Sequence, residues 1–218
     1  MSEAVLTLSS RNYSAWSLRG WLICRMAGLD FQEKMLPVDD PSVRAELLHL
    51  SPSFLVPALS HGPIKVWDTL AIAEYLHEIM PQSGLLPKQL SARAHCRAVS
   101  GEMHTGFYNL RSALPMNLKA RYSGFKVWAG AEADIARVVA IWRECLKIYD
   151  GPYLFGEKPT LADAMYAPVC TRFHTYDVTL DRLCTDYCET ITAMPDMMEW
   201  TEAAKLEPDA MEELEAEF

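Results

Sequence analysis

Apolar positions change period repeatedly over the first eighty residues, then settle into a helical period for the rest of the chain. Residues 4–9, Ala-Val-Leu-Thr-Leu-Ser, read as a short buried strand. After a polar loop, Leu18, Trp21, Leu22 and Met26 recur at helical spacing, and Gly28 ends the run as a C-cap glycine would. Residues 31–38 predict a second strand and 39–50 a short helix. Residues 56–60 and 64–67 predict a hairpin around His61-Gly62-Pro63, and 70–80 a closing helix. The order βαβαββα is that of a small α/β layer domain.

Pro81 and the segment Gln82-Ser83-Gly84-Leu85-Leu86-Pro87 interrupt this pattern as an interdomain linker would. The expected division is therefore an α/β domain at 1–81, a linker at 82–90 and an all-helical domain at 91–218. Two long amphipathic runs, 91–114 and 131–149, open the helical part. In the second, Ile135, Val138, Val139, Trp142, Leu146 and Tyr149 share one face. Shorter helices are expected at 161–176, 181–192 and 196–204, giving a helical bundle.

The composition, half apolar and about a fifth charged, is that of an ordinary globular protein. Of the formal net charge of −9, residues 199–218 carry −7, which leaves the body close to neutral at −2. Without a basic stripe there is no electrostatic footprint for nucleic acid or anionic lipid. The acidic end reads as a solvated helix face or tail. No stretch has the length of a signal h-region or membrane span, so a cytoplasmic protein is expected. Six cysteines (Cys24, Cys96, Cys145, Cys170, Cys184, Cys188) form no C-x-x-C pair, and Cys184 and Cys188 have no histidine nearby. Neither a disulfide scaffold nor a metal site follows.

Three segments of the α/β domain suit the binding of a short anionic peptide that carries a thiol. The loop 9–17 puts hydroxyls at a helix N-terminus, where free N–H groups and the dipole favour negative charge. One hydroxyl hydrogen bond to a thiolate, worth about 1.5 to 3 kcal/mol, lowers a thiol pKa by about one to two units. Ser10, Tyr13, Ser14 and Ser17 all qualify, and Ser14 also reads as a helix cap. Val56-Pro57 opens a strand; it marks a strand boundary, or exposes Val56 backbone groups to an added peptide strand. Asp68 and Thr69 begin a helix, as an ordinary cap or as a holder of an α-amino acid's ammonium and carboxylate. A fourth motif, Thr160-Leu161-Ala162-Asp163, is a capping box with no chemistry of its own.

In this order, the Ser-bearing loop, Val-Pro-Ala-Leu, Asp-Thr-x-Ala-Ile-x-x-Tyr-Leu, the linker, the helical domain and the Thr-x-x-Asp box resemble the glutathione S-transferase family along nearly the whole chain. The loop Asn12-Tyr13-Ser14-Ala15-Trp16-Ser17-Leu18-Arg19 is most similar to bacterial members near the serine-type, zeta-like classes. The resemblance implies a thioredoxin-like N-terminal domain, glutathione as co-substrate without a metal, and a homodimer. It also implies Ser14 as the thiolate stabiliser, Val56-Pro57 against the cysteinyl backbone, and Asp68 and Thr69 at the γ-glutamyl end, where most relatives carry Glu-Ser. Trp16 joins the glutathione contacts; Arg19 either approaches the same peptide or makes an ion pair. Met103, His104, Phe107, Tyr108 and Arg111 recur at helical spacing and line an acceptor pocket, unless Met103, Phe107 and His104 are plain bundle core.

The expected reaction is addition of glutathione thiolate to a hydrophobic electrophile. The alternatives are a zeta-like, maleylacetoacetate-type cis–trans isomerase, which needs a basic pocket for a dicarboxylate, and a non-catalytic glutathione-binding module. The first cysteine, Cys24, falls inside a helix, which disfavours thiol–disulfide exchange through a protein thiol.

Overall fold

A computed structural model describes residues 3–37, 39–47 and 56–208. The ends of the strand and helix expected at 31–38 and 39–50, and the acidic stretch beyond 208, lie outside them. Four strands, β1 (Ala4–Leu8), β2 (Gln32–Met35), β3 (Ala58–His61) and β4 (Ile64–Trp67), form one sheet in the order β2-β1-β3-β4. β1 runs parallel to β2 and antiparallel to β3, with Leu6 opposite Leu59; β3 and β4 close the hairpin. A parallel pair requires a crossover, and α1 (Ala15–Ala27) supplies it. α2 (Pro41–Leu47) and α3 (Thr69–Ile79) complete the thioredoxin-like order βαβαββα. Alternation along β1 sends Ala4, Leu6 and Leu8 into a core shared with Leu18, Leu22, Ile23, Ile72 and Leu76.

The rest is helical: α4 (Leu90–Thr105), α5 (Tyr108–Ala113), α6 (Ala129–Tyr149), α7 (Leu161–Thr175), α8 (Arg182–Thr192) and α9 (Pro195–Lys205). α7 is buried on nearly all sides, packed against α1, α4 and α8, and so forms the axis of the molecule. Its start is fixed by the expected capping box. Asp163 accepts the Thr160 N–H at 2.7 Å, the Thr160 hydroxyl at 3.0 Å, the Leu154 N–H at 3.0 Å and the Tyr187 hydroxyl at 3.2 Å. Burial pushes this carboxyl up despite those donors.

One expected element divides. The run 91–114 is two helices, because α4 ends at Gly106 and Phe107 adopts a left-handed φ of 58° before α5 begins. A Cβ on Gly106 would lie 2.7 Å from the Glu102 carbonyl oxygen, so only glycine passes this corner unstrained. The break turns α5 toward the first turn of α1. Among the described residues, no helix is long and apolar enough to cross a membrane.

Candidate functional site

Ser14 is the N-cap of α1: its backbone is extended and its Oγ accepts the Ser17 N–H at 3.2 Å. The first turn of α1 carries no acid, so the positive helix end has no carboxylate of its own there. The four loop hydroxyls differ in what they have left to give. Ser10 Oγ donates to Glu207 and accepts the N–H groups of Asn12 and Tyr13, both at 3.1 Å. Ser17 Oγ accepts the Ser9 N–H at 2.9 Å and faces the Ser9 hydroxyl at 3.4 Å. Tyr13 is buried and engaged. Ser14 Oγ accepts one bond and has no acceptor for its own proton among the described residues. It is almost wholly covered, at 1% exposure.

The loop is held from the helical part. Asn12 Nδ2 donates to Asn117 Oδ1 at 3.0 Å, and Asn12 Oδ1 accepts the N–H groups of Leu118 at 2.7 Å and Lys119 at 3.1 Å. Both asparagines are fully buried.

The peptide bond Val56-Pro57 is cis, and the Pro57 carbonyl accepts the Asp68 N–H at 3.3 Å, tying the start of β3 to the start of α3. The Pro57 ring packs directly on Gly20 of α1. A Cβ there would lie 2.3 Å from Pro57 Cβ.

Asp68 caps α3, accepting the N–H groups of Leu70 at 2.9 Å and Ala71 at 3.2 Å through Oδ1. Its φ of 78° and ψ of 140° are a conformation that costs a non-glycine residue about 1 to 3 kcal/mol and that clusters at functional sites. Its Oδ2 meets His104 Nε2 of α4 in a short contact. Burial pushes the Asp68 carboxyl up, but the His104 hydrogen bond and charge, with the Ala71 and Leu70 amides, hold it below its ordinary 3.8. Next to it, Thr69 is fully buried with an Oγ1 that has no partner among the described residues. Such an orphan calls for an unseen partner.

Trp16 links this end to the helical part. Its ring lies 5.3 Å from that of His104, 4.6 Å from the Arg19 guanidinium and 5.6 Å from that of Arg111. Beneath it, Arg19 of α1, Arg111 of α5 and Arg172 of α7 converge. Arg19 Nε donates to the Met165 carbonyl at 2.8 Å, while its Nη1 and Nη2 are buried without partners among the described residues. Arg172 Nη1 donates to the carbonyls of Arg111 and Leu114, and the Nε atoms of Arg111 and Arg172 are also orphaned. Burial, then the charges of Arg172 and Arg111, push Arg19 far down; burial and Arg111 push Arg172 down to about 9. Burial also lowers Arg111, against the opposing charge of Asp134. Three mutually repelling cations with unused donors form a site that an anion would stabilise.

The expected acceptor residues separate. His104 and Arg111 face Trp16, Met103 and Phe107 are buried in the core, and Tyr108 is exposed. Arg172, Asn12 and Asn117 were not singled out from the sequence. Among the described residues no cluster of three or more His, Cys, Asp or Glu could hold a metal ion.

Comparison with known proteins adds a lineage to this geometry. Residues 13–79 match the glutathione S-transferase N-terminal domain and residues 107–203 the glutathione S-transferase C-terminal domain. Glutathione S-transferase 1 of Dianthus caryophyllus is 30% identical over 156 residues, covering 71% of this chain and 70% of that one. The maleylacetoacetate isomerase of Pseudomonas aeruginosa is 29% identical over 187 residues, covering 78% and 82%. A glutathione transferase homologue from Burkholderia, solved with bound glutathione, superposes with a TM-score of 0.71 at 19% identity, covering 94% of this chain and 99% of that one.

Proposed function

The chain belongs to the glutathione S-transferase family, and we propose that it is a glutathione-dependent enzyme acting on an anionic, unsaturated acceptor, a cis–trans isomerase of the maleylacetoacetate type. In this reading, glutathione lies along β3 with its cysteinyl backbone at Val56-Pro57. Its γ-glutamyl carboxylate meets the orphaned Thr69 hydroxyl and its ammonium shares Asp68 with His104. The sulfur meets the spare Ser14 proton and the N-terminal amides of α1. Burial at Ser14 raises a thiol's pKa, so the hydroxyl bond and the helix dipole must outweigh that desolvation.

The observation that carries the choice of reaction is the arginine cluster beneath Trp16. Conjugation to an apolar electrophile leaves the orphaned N–H groups of Arg19, Arg111 and Arg172 without a partner, whereas an acceptor with carboxylates satisfies them. The thiolate adds to one carbon of the cis double bond, and the electron pair moves to the conjugated carbonyl oxygen as an enolate. The bond, now single, rotates; the enolate then re-forms the double bond and expels the same thiolate. Arg111, at the edge of the cluster beside Trp16, is placed to steady the anionic oxygen. The resemblance to the Pseudomonas isomerase supports this order of preference.

Isomerisation returns its glutathione, and conjugation consumes it. With glutathione at a twentieth of the concentration of a cis enone dicarboxylate, full conversion to the trans isomer is the expected result. A reaction that stops at one equivalent identifies a transferase, the reading favoured by the carnation relative. Retention on immobilised glutathione with neither activity identifies a binding module.

A homodimer is part of the same proposal. β4 is an edge strand, and its Ile64 and Trp67 expose large apolar surface. Analytical ultracentrifugation of Trp67→Glu, giving a monomer where wild type is dimeric, tests it.

A further inference from the structure

Glu207 follows α9, almost two hundred residues from the loop that begins the site, yet among the described residues its carboxylate is bonded to that loop alone. Oε1 accepts the Arg11 N–H at 2.6 Å, and Oε2 accepts the Ser10 hydroxyl at 2.8 Å and the Asn12 N–H at 3.1 Å. Three donors from three consecutive residues converge on one ion, which is the geometry of a backbone anion nest filled by the protein's own side chain. The surrounding contacts hold Glu207 in place. Lys119 Nζ donates to its backbone carbonyl, and Trp200 Nε1 of α9 donates to the Arg11 carbonyl at 2.9 Å.

We infer that Glu207 is a positioning residue for the Ser14 hydroxyl, acting through Ser10. The relay is short. By taking the Ser10 proton, Glu207 fixes that hydroxyl with its lone pairs toward the Asn12 and Tyr13 N–H groups, both at 3.1 Å. The turn so fixed presents the Ser10 carbonyl to the Ser14 N–H at 3.0 Å, which sets the extended backbone from which Ser14 points its Oγ along α1. Remove the carboxylate, and two N–H groups and a hydroxyl lose their shared acceptor at once. A charged acceptor forms roughly twice as strong a bond as a neutral one, so its loss is felt along the turn. The inference rests on the reading of Ser14 as thiolate stabiliser. It adds that the far end of the chain tunes that stabiliser.

The full-length protein is compared with Glu207→Ala, Glu207→Gln and, as a control on the exposed side of α9, Glu202→Ala, whose partner is Lys205. Bound glutathione is titrated through its thiolate absorbance, and amide hydrogen exchange is followed at residues 11–14. The expected result is a rise in the bound-thiol midpoint of about one pH unit in Glu207→Ala, a loss of thiolate that approaches about tenfold well below the midpoint. Faster exchange confined to the loop accompanies it, and Glu202→Ala is unchanged. Should Glu207→Ala fail to fold, Glu207→Gln, whose amide oxygen still accepts one N–H, carries the measurement with a smaller rise. A wild-type thiol shifted from that of free glutathione, with the same midpoint in the Glu207 variants, overturns the inference and leaves the Ser14 reading standing. A wild-type thiol that titrates like free glutathione overturns both.

Discussion

Replacing Ser14 with alanine separates the helix cap that its oxygen makes from the thiolate bond proposed for its proton. As an acceptor, Oγ satisfies the Ser17 N–H at 3.2 Å; losing that cap costs about 1 kcal/mol of stability whether or not glutathione is bound. As a donor, its unengaged proton is available to a thiolate. A hydrogen bond to a charged partner is worth about 1.5 to 3 kcal/mol, so its loss raises the bound-thiol pKa by about one to two units. Starting from a midpoint near pH 7, that takes the thiolate fraction at neutral pH from about half to between about one per cent and one-tenth. Thiolate absorbance of the glutathione complex between pH 5 and 10 reads the second effect, and denaturant unfolding without glutathione reads the first. An alanine variant that loses about 1 kcal/mol of stability but keeps the wild-type titration would show that Ser14 is a cap and nothing more. The same titration on Ser17→Ala, whose oxygen is occupied by the Ser9 N–H, is expected to stay near wild type.

Other perturbations follow from other contacts. Gly20→Ala puts a methyl 2.3 Å from Pro57 Cβ, and overpacking of this kind costs about 1 to 3 kcal/mol; a lower melting temperature with weakened glutathione binding is expected. Asp163→Ala strips the Leu154 and Thr160 amides and the Tyr187 hydroxyl of their buried acceptor, and should cost about 3 kcal/mol or more in denaturant unfolding. Asp68 is held below its ordinary 3.8, so its contribution to stability is present above that pH and is lost as pH falls through the lower folded value. The stability gap between wild type and Asp68→Asn should therefore shrink from pH 6 to pH 2. Arg172→Met removes a buried cation but also the donor to the Arg111 and Leu114 carbonyls, so stability should fall by about 1 to 3 kcal/mol at most, while KM for a dicarboxylate acceptor rises about tenfold and KM for glutathione does not.

Much of the fold is written in local period. β1 alternates cleanly, α1 ends at Gly28 and Pro57 opens the hairpin, so the βαβαββα order is legible directly from the sequence. The break at Gly106 and Phe107 is not, because apolar spacing runs through it and the helix ends in a backbone turn, extended at Gly106 and left-handed at Phe107. The site divides in the same way. Ser14, Asp68 and Thr69 begin helices and can be found by their capping pattern. The bonds from Asn12 to Asn117, from Asp68 to His104 and from Glu207 to residues 10–12 join segments 36 to 197 positions apart, and no window of sequence contains both partners. The arginine cluster is hidden for the same reason. Arg19 and Arg111 can be named one at a time as site candidates, but with Arg172 they sit on three helices, and only the packing of α7 brings the three together.

Asn12 spends its whole side chain on residues 117–119, far beyond the α/β layer. A fragment ending after α3 would keep every strand and yet leave a buried amide facing water, and with it the loop that carries Ser14 would lose the anchor that sets its height above the sheet. The smaller layer is thus no detachable cartridge. Swapping helical halves between relatives should retune the thiol even when every residue of the first eighty is preserved.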